Sequence, residues 1–210
     1  MICPLCKSLS NKPRYQNRFR AYHVCTNCSL IFVPNQYQVD STKARRRYAL
    51  HKNTIEDVGY LQFLNRILYP LKDRISKDQF GLDFGSGPNP VLSEVLKKDG
   101  YQITEYDLYF ANDPKKLNTT YNYIVCCEVV EHFDEVLSEW KRLFELLKPE
   151  GWIAISTALS DQVEDFLKWH YISDETHISI YSKRSFEWIK EYFGFKQLIF
   201  ISDSIIFLRK

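Results

Sequence analysis

The stretch Leu82-Asp83-Phe84-Gly85-Ser86-Gly87-Pro88-Asn89-Pro90 decides how this chain folds. The apolar run Phe80-Gly81-Leu82-Asp83-Phe84 leads into it and reads as a short buried strand. Behind it Val91, Leu92, Val95 and Leu96 recur at helical spacing, with Gly100 as the stop. Paired glycines between a strand and a helix let the chain turn tightly and bring bare backbone against a ligand. The dinucleotide pattern G-x-G-x-x-G is absent, because position 90 is Pro. Asp83 beside the loop repels a pyrophosphate and suits a cation. Asp107 ends the next strand-like segment, 22 residues after Gly85, where a carboxylate accepts both hydroxyls of a ribose.

Outward from this point strands and helices alternate. Residues 102–106, 123–130 and 152–157 read as strands. Leu137, Trp140, Leu143, Phe144 and Leu147 form a helix face ending at Lys148-Pro149-Glu150-Gly151, and 185–193 forms another closed by Gly194. Residues 196–201 and 204–208 make a final hairpin about Ser202-Asp203. The order predicts a doubly wound α/β fold with a mostly parallel sheet and an antiparallel last strand. Residues 110–120 are too polar for a strand. Cys126 and Cys127, adjacent in a strand, face opposite sides as small buried hydrophobes.

The 210 residues are 45% apolar and 26% charged, ordinary for a globular chain and wrong for a disordered or fibrous one. No apolar run reaches the ~18 residues a bilayer span needs, and the first residues lack a signal-peptide core, so a cytoplasmic protein without a membrane partner is expected. The net charge of +2 hides a division. Residues 1–80 hold 14 of the 28 Lys and Arg but 5 of the 26 Asp and Glu, a net +9 against −7 for residues 81–210. Within the basic part, Cys3-Pro4-Leu5-Cys6 and Cys25-Thr26-Asn27-Cys28 stand 18 residues apart. Two CxxC knuckles at that spacing predict a four-thiolate structural zinc, the hairpin carrying Tyr15, Phe19, Tyr22 and Val24 joining them. About 30 residues bury too little to stand without metal. The expected division is a zinc ribbon over 1–34, a linker and lid helix over 35–79, and the main domain over 80–210. The lid helix shows Val58, Leu61, Leu64, Leu68 and Leu71 at helical spacing, with Pro70 marking its end.

With these residues in hand, the chain resembles the class I S-adenosylmethionine-dependent methyltransferases. Residues 82–89 match that family's first motif, hh(D/E)xGxGxG, with Asn89, tolerant of left-handed backbone, in place of the third glycine. Residues 147–155 match its "LkPGG" turn and following strand, and the closing hairpin is its usual end. The resemblance implies a seven-stranded Rossmann-like sheet. It also implies S-adenosylmethionine bound through Asp83, Gly85, Ser86, Gly87, Asp107 and Glu128, with Asp83 toward the methionine ammonium and Asp107 on the ribose.

Glu128-Val129-Val130-Glu131-His132 closes the fourth strand, and His177 follows the fifth. Ligands bind outside the carboxyl ends of such strands, so these side chains face the departing methyl group. The E-x-x-E-H is similar to that of ubiquinone-biosynthesis O-methyltransferases. It is also similar to that of small-RNA terminal 2′-O-methyltransferases, where with a later His it holds Mg²⁺. The resemblance implies Glu128, Glu131, His132 and His177 as catalytic residues and as Mg²⁺ ligands. The alternative left open is that the carboxylates only hydrogen-bond and His132 acts alone as base. Tyr48, His51, Asn53, Trp169, His170 and Tyr171 are weaker candidates for the pocket wall. A small-molecule hydroxyl is the expected acceptor. RNA gripped by the basic front and Arg45-Arg46-Arg47 is the alternative, and a binding adapter that no longer turns over is a third reading. The oligomeric state is not legible.

Overall fold

The structure is a computed structural model describing residues 1–9 and 13–210. Ten strands and five α-helices follow one another along the described chain. The first part holds β1 (Pro13–Gln16), β2 (Ala21–Val24), β3 (Ile31–Phe32), α1 (Ser41–Tyr48) and α2 (Val58–Lys72). Next come β4 (Phe80–Phe84), α3 (Val91–Lys98), β5 (Gln102–Tyr106), β6 (Tyr121–Cys127), α4 (Val136–Leu146) and β7 (Leu147–Ser156). β8 (Ser179–Ile180), α5 (Lys183–Phe193), β9 (Gln197–Phe200) and β10 (Ile205–Arg209) complete it.

The main sheet has six strands in the order β5-β4-β6-β7-β10-β9. β4 pairs in parallel with β5 and β6, and β6 with β7, while β10 runs antiparallel to both β7 and β9. Among the described residues the expected seventh strand does not form. Where it would lie, Pro114–Asn118 forms a 3-10 turn capped by the Asp113 side chain. Pro114 lacks a ladder N–H, and the polar neighbours offer no face to bury.

The sheet separates two apolar layers, and β6 shows how. Ile124 and Cys126 enter the layer that holds Trp140 and Phe186, whereas Tyr123 and Val125 enter the layer under α2 and α3. Alternation along a strand buried on both faces produces this division. Gly81 is fixed by it, since a Cβ there would lie 2.2 Å from the Tyr123 ring. Fully buried Trp140 donates its indole N–H to Tyr181 Oη at 3.1 Å, and Tyr181 donates to the Val130 carbonyl at 3.2 Å. In α2, Pro70 lies inside the helix rather than ending it. So near the C-terminal end the missing N–H removes only one helical bond.

The cysteine-bearing segment is sewn onto this body. β1, β2 and β3 form a second sheet that β8 completes, with Ile31 opposite Ile180 and Phe32 opposite Ser179. Cys3, Leu5, Cys25, Cys28, Leu30 and Phe32 share the apolar layer of Trp140 and Phe186. Leu137 N–H donates to the Pro4 carbonyl, and Ser185 Oγ donates to the Cys28 carbonyl at 2.9 Å. Among the described residues no helix is long and apolar enough to cross a membrane.

Candidate active site and cysteine cluster

β4 ends at a loop whose geometry is fixed from β5. Gly85 N–H donates to the Tyr106 carbonyl at 2.7 Å, and Gly87 N–H donates to Asp107 Oδ2 at 2.9 Å. Gly85 (φ +80°) and Gly87 (φ +68°) both occupy left-handed backbone. A Cβ on Gly85 would come within 2.5 Å of Val129, whereas one on Gly87 would project into open space. Ser86 Oγ is buried and lacks a hydrogen-bond partner. Asp107, 9% exposed, also accepts on Oδ1 from the Tyr109 and Phe110 N–H groups at 2.8 and 3.1 Å. The glycine loop and Asp107 are therefore tied together by the chain's own hydrogen bonds.

Asp83 stands behind this wall, not on it. Its Oδ2 accepts from Ser93 Oγ on α3 at 2.9 Å, and burial pushes its carboxyl up to about 7. Asn89 keeps ordinary backbone, so the left-handed tolerance expected of it is not used. Its amide instead donates to the His51 carbonyl at 3.3 Å.

A cavity of about 730 Å³ runs from Gly85–Gly87 and Asp107 to the end of β6. Tyr48, His51 and Asn53 line it, as do Cys127, Glu128, His132 and His177. Tyr171 lies just outside, buried, with Trp169 stacked on it at 4.9 Å. His170 and Trp169 are not on the wall.

At the far end the chain bends through Glu128, whose φ of +54° is unusual for a residue with a side chain. This turn sends Glu128 to Ser156, whose Oγ donates to its Oε1 at 2.7 Å. Glu131 is fully buried; Thr157 Oγ1 donates to its Oε2 at 3.0 Å, and Oε1 has no partner. His132 Nδ1 meets the Thr176 carbonyl at 3.0 Å and His177 Nδ1 meets the Tyr171 carbonyl at 2.7 Å. A carbonyl only accepts, so both rings carry their proton on Nδ1 and leave Nε2 with a free lone pair. Ligand atoms of Glu131, His132 and His177 all lie within 4.8 Å of one another. Glu128 is not in that group. Burial holds both imidazoles below their ordinary range, His177 down to about 4 with help from the neighbouring His132. Burial likewise raises both carboxyls.

The four cysteines also converge. Cys3 and Cys28 sulfurs lie 3.6 Å apart, Cys6 and Cys25 3.3 Å, and all four within 4.8 Å. A tetrahedral zinc with bonds near 2.3 Å spaces its sulfurs about 3.8 Å apart. The hydrogen bond from Cys28 holds the Cys3 thiol below its ordinary range, which favours a thiolate in this cluster.

Sequence reading passed over Ser156, Thr157 and Thr176, which hold Glu128, Glu131 and His132, and it passed over Arg20. Single Ser, Thr and Arg residues carry no spacing signal. The basic run on α1 is partly occupied: Lys43 pairs with Glu175 at 2.7 Å, Arg47 with Asp174 at 2.9 Å, and Arg45 lies over the Phe110 ring.

A family model described as a methyltransferase domain matches residues 53–198. No curated protein sequence matches the chain. Among solved structures, a SAM-dependent methyltransferase from Archaeoglobus fulgidus is 16% identical with a TM-score of 0.52, over 72% of this chain and 99% of that one. Magnesium protoporphyrin IX methyltransferase from Synechocystis, with bound SAH, is 17% identical with a TM-score of 0.57, over 81% and 95%. A Burkholderia thailandensis 1,6-didemethyltoxoflavin-N1-methyltransferase is 14% identical with a TM-score of 0.55, over 95% and 99%. At these identities the likeness is one of fold. The family match spans more than half of the residues, and the chain belongs to the methyltransferase-domain family.

Proposed function

We propose that this member of the methyltransferase-domain family moves a methyl group from S-adenosylmethionine to a hydroxyl of a small molecule. The observation that carries the reading is the pair of imidazoles with free Nε2 atoms beside an unpartnered Glu131 oxygen, across one cavity from the glycine loop. The cofactor side fits: Ser86 offers an orphaned hydroxyl, Gly87 an open cradle, and Asp107 a carboxylate for the ribose. When bound, S-adenosylmethionine supplies a methyl carbon already activated by its sulfonium. The protein then needs to align the acceptor oxygen and take its proton. His132, facing the cavity with a neutral ring, takes that proton at Nε2. Asp83, bonded to Ser93, braces α3 against the loop.

With His132 Nε2 as a ligand in place of that base role, Glu131, His132 and His177 fit a divalent cation, which would lower the acceptor hydroxyl's pKa. One carboxylate and two imidazoles suit a transition cation better than magnesium, which prefers oxygen ligands. Glu128, turned toward Ser156, then serves the cavity wall beside the cofactor. The four cysteines would hold a structural zinc.

The cavity volume is in the range of small-molecule sites, roughly 300–1,000 Å³, and part of the basic run is engaged inside the molecule. Labelled S-adenosylmethionine incubated with separate RNA and metabolite fractions tests the reading. Label is expected in a metabolite with a methylated oxygen; label confined to RNA overturns the acceptor class. No calorimetric heat with S-adenosylmethionine at high micromolar concentration overturns the enzyme reading in favour of an adapter.

A further inference from the structure

Arg20 is a buried arginine, 7% exposed, at the end of the turn joining β1 to β2. The turn holds it firmly: Asn17 Oδ1 accepts from the Phe19 and Arg20 N–H groups, each at 2.9 Å, and Asn17 N–H donates to the Arg20 carbonyl. Its side chain has no carboxylate partner in the hydrogen bonds it makes. Nε donates to Tyr22 Oη at 2.7 Å; one terminal nitrogen donates to the Glu175 and His177 carbonyls at 3.0 and 3.4 Å, the other to the Ile172 and Asp174 carbonyls at 2.5 and 2.9 Å. All five guanidinium donors are thus used, four of them on a single loop.

That loop sets the two histidines. The carbonyl of Tyr171 fixes the His177 ring and the carbonyl of Thr176 fixes the His132 ring. Within 171–177 these two carbonyls turn toward the imidazoles while those of 172, 174, 175 and 177 turn back onto Arg20. A loop that sends six carbonyls inward in two directions needs a concentrated donor at its centre, because buried carbonyls without partners are destabilising. Only a guanidinium supplies five donors in a fixed fork; a lysine offers three from one point.

We propose that Arg20 is a positioning residue: from the cysteine-bearing hairpin it holds the 172–177 loop so that His132 and His177 keep their Nδ1–H form and present Nε2 to the cavity. This rests on the reading that those imidazoles serve the reaction. It also gives the hairpin a task in the site that its distance in sequence conceals.

The test uses all 210 residues, purified with zinc present, as wild type, Arg20→Lys and Tyr22→Phe, the last removing one of the five acceptors. S-adenosylhomocysteine calorimetry reports the cofactor side, which Arg20 does not touch, and is expected to stay within about threefold of wild type, a spread of well under 1 kcal/mol. In Arg20→Lys the amides of Thr176, His177 and Ile178 are expected to exchange about 100-fold faster, and in Tyr22→Phe about 10-fold faster, through local opening. Imidazole ¹⁵N spectra should show single Nδ1–H forms for both histidines in wild type and mixed forms in Arg20→Lys. Methyl transfer from labelled donor into metabolite extract should fall about 100-fold in parallel. Unchanged exchange and imidazole spectra in a folded variant overturn the positioning role by themselves. Disordered imidazoles with undiminished transfer overturn it through the functional reading, a distinct result. If Arg20→Lys does not fold, Tyr22→Phe decides on the same signals, and no change in its exchange overturns the proposal.

Discussion

Replacing Asp107 separates what holds the cofactor loop from what holds the cofactor. In the free protein its carboxylate already accepts three backbone N–H groups, Gly87 on Oδ2 and Tyr109 and Phe110 on Oδ1. Each oxygen keeps lone-pair capacity for a ribose hydroxyl. Asp107→Asn is therefore not conservative: one side of the amide becomes an NH₂ that must face either Gly87 N–H or the Tyr109 and Phe110 pair, donor against donor. Hydrogen bonds to a charged acceptor contribute about 1.5–3 kcal/mol each. Loss of one ribose bond, with the loop loosened in both states, predicts a cofactor affinity weaker by roughly 10- to 200-fold, at about 1.4 kcal/mol per tenfold. Asp107→Ala removes both ribose bonds and should weaken binding at least as much. Calorimetry with S-adenosylmethionine and S-adenosylhomocysteine, beside thermal melts, gives the two effects separately. A folded Asp107→Ala protein that binds within threefold of wild type would show that Asp107 only ties the loop, and the ribose assignment would fall.

Three further outcomes are expected. Gly85→Ala, strained at φ +80° and pressed on Val129, should displace the loop, lower cofactor affinity tenfold or more and lower the urea midpoint through a strain of about 1–3 kcal/mol; unaltered affinity contradicts the loop assignment. Asp83 has a folded-state pKa near 7 against an ordinary 3.8, so the folded state binds its proton more tightly than the unfolded chain. Its stability contribution is complete below about pH 4 and is lost as pH rises through 7, at about 1.4 kcal/mol per pH unit over that window. Asp83→Asn should flatten this slope and gain on wild type at pH 8, as read from urea midpoints at pH 5 and pH 8; parallel slopes for the two proteins refute it. Chelation strong enough to strip a four-thiolate site should release one zinc per chain, counted with a metallochromic dye, and lower the melting temperature; release of none removes the structural-zinc reading.

How much of this could be read beforehand varies with the kind of signal. Strands β4, β6 and the Trp152–Ser156 half of β7 are mostly buried and appear as largely apolar runs, whereas the Leu147–Gly151 half of β7, with Pro149 and Glu150 exposed, reads as a turn. The absent strand at 110–120 was visible as well, because Pro114 and its polar neighbours cannot join a ladder. The seven-strand count came with the family resemblance and did not survive that segment. At the site, E-x-x-E-H placed Glu128 and Glu131 three residues apart, but spacing alone does not reveal the left-handed turn at Glu128 that sends it to Ser156 and leaves Glu131 with the histidines. Asn89 shows the reverse error: tolerance of a conformation is not evidence that the conformation is used. Arg20 was illegible, since its meaning depends on a two-residue strand, β8, pairing with β3 across nearly 150 positions of sequence.

That pairing also changes what the division of charge means. A basic front of +9 and an acidic back of −7 invite an anionic partner from outside. Yet Lys43 and Arg47 face Glu175 and Asp174, Arg20 is buried on four carbonyls of the same loop, and Arg184 from the acidic part donates to the Asn27 carbonyl in the cysteine-bearing segment. The exposed Lys43–Glu175 pair contributes little to stability. Its value with Arg47 and Arg20 is geometric: three cations from the front converge on one loop from the back, and that loop carries His177. The front therefore recognises the back of its own chain first, and an RNA reading must rest on the cations left over. With Arg20, Lys43 and Arg47 engaged inside the molecule, the charge free to meet a phosphate backbone is smaller than the sequence total implies.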